Sequence, residues 1–109
     1  MRSRFAAYAL GLVDYVVATT DPAGPQWQAD RAAWEASIRA FATATRFDGL
    51  RILDAPETAP ASDEGHVTFR AALTAGGRDV GFTERSRFTR APRADGQLAW
   101  RYHSGELLP

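Results

Sequence analysis

The chain has 109 residues, 13 basic and 13 acidic side chains, no cysteine and 45% hydrophobic residues, which suits one domain, 1–109, and is too short for two. A formal net charge of zero argues against a bulk field that gathers nucleic acid or anionic lipid, and zero cysteine excludes a disulfide framework, a thiol nucleophile and a Cys-based zinc site. No apolar run reaches the roughly 18 residues of a membrane span and no basic-then-apolar leader opens the chain, so the expectation is a cytoplasmic protein with no membrane partner.

The first half reads as helical. From Ser3 to Thr19, Phe5, Tyr8, Leu12, Tyr15 and Val16 recur at spacings of three and four, the pattern of one buried helical stripe, with Ser3 at its N-cap. Asp21-Pro22-Ala23-Gly24-Pro25 breaks that pattern. A second helix is expected from Gln26 to Thr43, where Trp27, Trp34, Ile38 and Phe41 share a face and Arg31, Glu35 and Arg39 form an i, i+4 charge ladder. Large aromatics at helical spacing ordinarily belong to a core.

The second half reads as strands. Leu50–Leu53 is a short apolar strand, and residues 55–63 are small, Pro-containing and acidic, which marks a loop. His66–Thr74 and Asp79–Arg90 flank Gly76-Gly77, a dipeptide that reaches positive φ without strain and suits a two-residue hairpin turn. With Ala75 opposite Arg78, one face pairs Leu73 with Val80, Ala71 with Phe82, Phe69 with Glu84 and Val67 with Ser86, and the other pairs His66 with Arg87, Thr68 with Arg85 and Arg70 with Thr83. Residues 91–96 form a turn, after which Leu98, Trp100 and Tyr102 alternate with Ala99, Arg101 and His103 in a last strand.

That register puts Glu84 and Ser86 on the apolar face. A buried carboxylate costs several kcal/mol unless it is paired, hydrogen-bonded or protonated. The candidates to meet it are Arg2, Arg4 and Tyr8, if the first helix crosses the sheet. A buried Arg–Glu pair, with Ser86 and a Tyr hydroxyl completing its hydrogen bonds and fixing helix against sheet, is the structural reading, and a polar spot in an apolar pocket, the composition of a small-molecule site, is the functional one.

Two N-terminal helices packed on a curved four-stranded antiparallel sheet make an α+β layer fold. Met1–Gly11 reads MRSRFAAYALG and is followed by Val13-Asp14-Tyr15; it resembles the opening of the YchJ-like domain, which runs roughly MRSRYSAYxxGxxDYL. Phe47–Leu53 resembles that family's W-x-G-L-x-I segment, Glu64–Phe69 its E-G-x-V-x-F strand, Thr83–Phe88 its HERSRF signature and Trp100–Gly105 its W-Y-Y-x-D-G end. The resemblance implies a nuclear-transport-factor-2-like (cystatin-like) cone, often dimerising through its sheet. Members usually carry a Cys-rich SEC-C zinc motif outside this domain. None is present in this chain, so neither a metal nor a cofactor is expected. Thr83 stands where the family has His, Thr20-Asp21 where it often has Trp-His, and Ser104 where it has Asp.

Three functional readings follow. The first is a non-catalytic module holding a small ligand or a peptide end in the cone, with Arg4, Tyr8, Tyr15, Phe69, Glu84, Ser86 and Trp100 as binding residues. The second, by fold analogy with ketosteroid isomerase and scytalone dehydratase, is an acid–base enzyme with Glu84 as base and Tyr8 or Tyr15 stabilising negative charge. The third is a platform for an acidic protein or RNA on the opposite face, formed by Arg70, Arg85, Arg87 and Arg101; nucleic acid is the less favoured partner because exposed charge is usually only a solvated face. His66 and His103 have no metal-ligand spacing and are expected at the surface. Gly76-Gly77 and Gly81 form no phosphate loop, and Ser86 has no histidine partner on its strand face.

Overall fold

Gly11 divides the first helical stretch. The computed structural model describes residues 1–57, 62–93 and 95–109, with α1 over Arg2–Leu10 and α2 over Val13–Ala18 in place of the single helix expected from Ser3 to Thr19. Gly11 takes a left-handed φ of 67°. Its N–H donates to Tyr8 O and that of Leu12 to Ala7 O, a Schellman closure that glycine makes without a Cβ penalty. The break re-phases the stripe: Leu12 is exposed, while Val13, Val16 and Val17 are buried. The N-cap is Met1, not Ser3.

α3 spans Arg31–Ala44, not Gln26–Thr43, because the Asp30 side chain accepts from the Ala33 N–H and starts the helix there. Trp34 and Ile38 are buried. Trp27 precedes the helix and Phe41 lies near its end; both are partly exposed, and the Trp27 ring meets that of Trp34 edge to face at 5.1 Å. The charge ladder forms, with Glu35 at 2.9 Å from Arg31 and 3.2 Å from Arg39. With Ala7, these α2 and α3 side chains make a helical core.

The sheet runs β1 (Arg46–Asp54), β2 (Glu64–Ala75), β4 (Phe82–Pro92), β5 (Leu98–Leu108), all antiparallel, with β3 (Arg78–Asp79) paired only to β2. The α+β layering is therefore as expected, with three helices instead of two and a fifth, two-residue strand. The hairpin register from Ala71↔Phe82 to His66↔Arg87 is the expected one, and Gly76 and Gly77 have φ of 57° and 75°, as a type I′ turn requires. Its second strand is interrupted, however. The Asp79 carboxylate takes the Gly81 N–H at 2.8 Å, a local bond that competes with the ladder and leaves Val80 42% exposed.

β1 starts at Arg46 rather than Leu50, with register shifts at Asp48 and Leu53, and β5 continues to Leu108 rather than ending at His103. Such shifts bend strands and raise local twist. Phe69, Ala71 and Leu73 form a second core under Phe5, Phe47, Leu50, Ile52 and Phe82. Of the two expected loops, residues 58–61 and Ala94 lie outside the described residues. No helix among the described residues is long and apolar enough to cross a membrane.

Gly11→Ala separates the two readings of the N-terminal helices by sign. The left-handed cap makes it destabilising by about 1–2 kcal/mol, a fall in thermal midpoint of several degrees, whereas a continuous helix would gain about 1 kcal/mol from the same change.

Candidate functional site

Strand alternation carries Phe82, Glu84, Ser86 and Phe88 to the inner face of β4, and β5 supplies what meets them. Phe88 opposes Tyr102, but Arg87 opposes Ser104, so His103 is a bulge. That extra residue switches the parity of β5, placing both Tyr102 and Gly105 on the inner side. Gly105 lies opposite Ser86, and a Cβ there would collide with the Glu84 carboxylate. The carboxylate thus rests over bare backbone. Its Oε2 accepts from Ser86 Oγ at 2.5 Å and from the Tyr102 hydroxyl at 3.2 Å, and Gln26 Nε2 donates to that hydroxyl at 3.5 Å. Both bonds to Glu84 end on Oε2; Oε1 has none among the described residues.

Arg4 does not pair with Glu84, contrary to the expected buried ion pair, nor do Arg2 or Tyr8 hydrogen-bond it. Arg4 is only 4% exposed. Its Nη1 donates to Val16 O at 3.2 Å, Thr19 Oγ1 at 2.8 Å and Thr20 Oγ1 at 3.2 Å, where the carbonyls at the end of α2 lack intrahelical partners. The guanidinium lies 4.7 Å from the Tyr102 ring centroid and 5.8 Å from that of Tyr8. Burial is the main influence lowering its pKa, yet it remains a cation at neutral pH. Burial, reinforced by Glu84, holds the Tyr102 phenol far above 10.0. Burial also raises that of Tyr8, against the opposing pull of Arg4.

Six of the seven expected binding residues divide between two clefts. One, of about 270 Å³, lies between α1 and the sheet and contains Tyr8, Phe69 and Glu84; the other, of about 520 Å³, contains Tyr15 and Trp100. Arg4 lines both. Ser86 is fully buried beneath Glu84 and lines neither. Sequence reasoning missed Tyr102, Gln26 and Phe47 in the smaller cleft. The Leu98–Trp100–Tyr102 alternation put Tyr102 on a common strand face, but the bulge that aims it was not visible.

The outer face is less basic than its arginines suggest. Arg87 is 3.0 Å from Glu64 and Arg70 is 3.9 Å from Asp79, Arg101 donates to Pro92 O at 3.3 Å, and Arg85 stands across from Glu106. His66 and His103 are half-buried rather than surface residues; the His66 ring lies 3.4 Å from Glu64 and that of His103 is 2.8 Å from Ser104 Oγ. No cluster of metal-ligating side chains occurs among the described residues.

The model of the YchJ middle, NTF2-like domain matches residues 1–105. The chain belongs to the YchJ middle-domain family. A UPF0225 protein of Cupriavidus pinatubonensis is 36% identical over 99% of this chain and 68% of its own length. One from Streptomyces coelicolor is 34% identical over 99% and 72%. The crystal structure of a SEC-C motif containing protein from Psychrobacter arcticus shares the fold, with a TM-score of 0.74 at 23% identity over 95% of this chain. This YchJ domain spans 56% of that solved chain. The fourth signature supplies Glu84 and Ser86 and the last supplies Tyr102 and Gly105, so two separate family segments meet at the carboxylate, while the MRSR opening supplies Arg4, which lies over the Tyr102 ring. Thr83 and Ser104, which depart from the pattern, line neither cleft.

Because the folded-state pKa of Tyr102 is raised, its contribution to stability is complete below pH 10 and is lost as pH rises through the folded value. Phenolate absorbance should show that Tyr102→Phe removes a late-titrating tyrosine. Gly105→Ala, which pushes the Glu84 carboxylate away, should bring that titration down toward the ordinary tyrosine range.

Proposed function

We propose that this YchJ middle domain is a non-catalytic binding module whose cleft between α1 and the sheet takes a small ligand or peptide end with an apolar body and a hydrogen-bond donor. The supporting observation is the Oε1 atom of Glu84, an acceptor with no hydrogen bond among the described residues, at the polar end of a cleft walled by Phe5, Tyr8, Phe41, Phe47, Phe69 and Phe82. Apolar walls with a few placed polar groups are the usual composition of a small-molecule site. Edge-to-face contacts of Phe47 with Phe5 at 5.4 Å and with Phe41 at 5.6 Å fix the walls in advance, which lowers the ordering cost of binding.

Binding fits this geometry better than acid–base catalysis. An enzyme of the isomerase or dehydratase type needs donors aimed at the developing oxyanion; Tyr15 lines the other cleft and the Tyr102 hydroxyl is donated to Glu84 itself, which leaves Tyr8 as the one tyrosine beside the carboxylate for that role.

Phenethylamine, an aromatic body with an ammonium donor, is a direct probe. It should raise the thermal midpoint of the wild type, by the equivalent of about 2.7 kcal/mol at a hundredfold excess over its dissociation constant. Glu84→Gln should remain folded, at a cost of about 1 kcal/mol, and lose the response. An unchanged response in Glu84→Gln, or none in the wild type, would contradict the reading.

A further inference from the structure

Arg4 spends one nitrogen on three acceptors and leaves its Nε–Nη2 edge without a hydrogen bond among the described residues. No carboxylate lies within ion-pair distance of it there. The partial negative charge at the end of α2 and two aromatic faces offset part of the charge. A cation this deeply buried is ordinarily paired, and the free edge of a guanidinium presents two parallel donors that match a planar carboxylate.

Arg4 borders both clefts, and their electrostatics differ. The smaller contains Glu84, which repels an anion. The larger has no carboxylate among its described lining residues and adds a second guanidinium, that of Arg90. Arg90 is itself fixed, with Nη2 on Ser62 O at 2.6 Å and its guanidinium 5.0 Å from the Trp100 ring centroid. The cleft's volume of about 520 Å³ lies within the range of small-molecule sites. Trp100 and Phe88 supply apolar wall, and the Tyr15 hydroxyl, donated to Ser3 Oγ at 2.7 Å, ties α1 to α2 at its edge.

We propose that this second cleft, which shares Arg4 with the first but lacks Glu84, binds a small organic carboxylate. Arg4 and Arg90 hold the charged end and Trp100 lies against the apolar body. The site is separate from the Glu84 cleft and selects the opposite charge.

Benzoate titrated into the isotope-labelled protein, with backbone and Trp indole resonances followed, tests the proposal. The expected result is saturable shifts at Trp100, Tyr15 and Arg90 at millimolar benzoate, with none from the isosteric neutral benzamide. Affinity should fall by roughly tenfold or more in Arg90→Gln, partly recover in Arg90→Lys, and not fall in Glu84→Gln, which removes a negative charge that acts on Arg4. Unaltered amide dispersion in Arg90→Gln shows that lost binding is not lost folding. The proposal is overturned if benzoate causes no saturable shift, if benzamide binds equally well, if Arg90→Gln binds with wild-type affinity, or if only inorganic phosphate binds.

Discussion

The hold of Arg4 on the end of α2 organises the rest of the molecule. The segment it grips is bonded directly to β5: the Tyr102 N–H donates to Thr19 O at 2.7 Å and the Asp21 N–H to Tyr102 O at 2.8 Å, so Thr20 forms an isolated parallel bridge to Tyr102 at the side of β5. Asp21 adds a side-chain tie, accepting from Thr89 Oγ1 and, at 2.9 Å, from the Ala23 N–H. Through these links a residue in α1 sets the position of a tyrosine in the last strand. That tyrosine in turn orients Glu84. Hydrogen bonds to a charged donor are among the stronger ones, about 1.5–3 kcal/mol, and here one charge serves three acceptors.

The same guanidinium divides the space under α1 into two chambers of opposite character. On the Glu84 side the wall is aromatic and the polar end is an acceptor. On the Arg90 side, the described lining has two cations and no carboxylate. A domain of this size buries only about two thirds of its unfolded surface, and its apolar material is correspondingly split into a helical core and a sheet core. The smaller cleft opens onto the sheet core, with Phe69, Ala71 and Leu73 in its wall.

Much of this was legible in the sequence, for identifiable reasons. The hairpin register follows from a period of two and a Gly-Gly turn, since a one-residue slip would turn every apolar side chain outward. Glu84 and Ser86 stood out by breaking that period. The identity of their partner was not legible, because the bulge at His103 changes which β5 residues face inward and nothing in the local pattern marks it. Likewise, Gly11 costs a continuous helix only about 1 kcal/mol, too little to decide between a kink and a stop without the cap geometry. The grouping of Tyr15 and Trp100 with Tyr8 and Phe69 failed because the two pairs line different clefts, a separation visible only in three dimensions.

Arg4 anchors the α2 terminus and, through it, β5. Arg4→Met keeps the apolar stem and removes the guanidinium, so thermal unfolding combined with amide hydrogen exchange isolates the charge. The expected result is a midpoint lower by about 10 °C with faster exchange at the Tyr102 and Asp21 amides, which sit at the junction. A midpoint within about 2 °C of the wild type, with those amides as protected as before, would contradict the account.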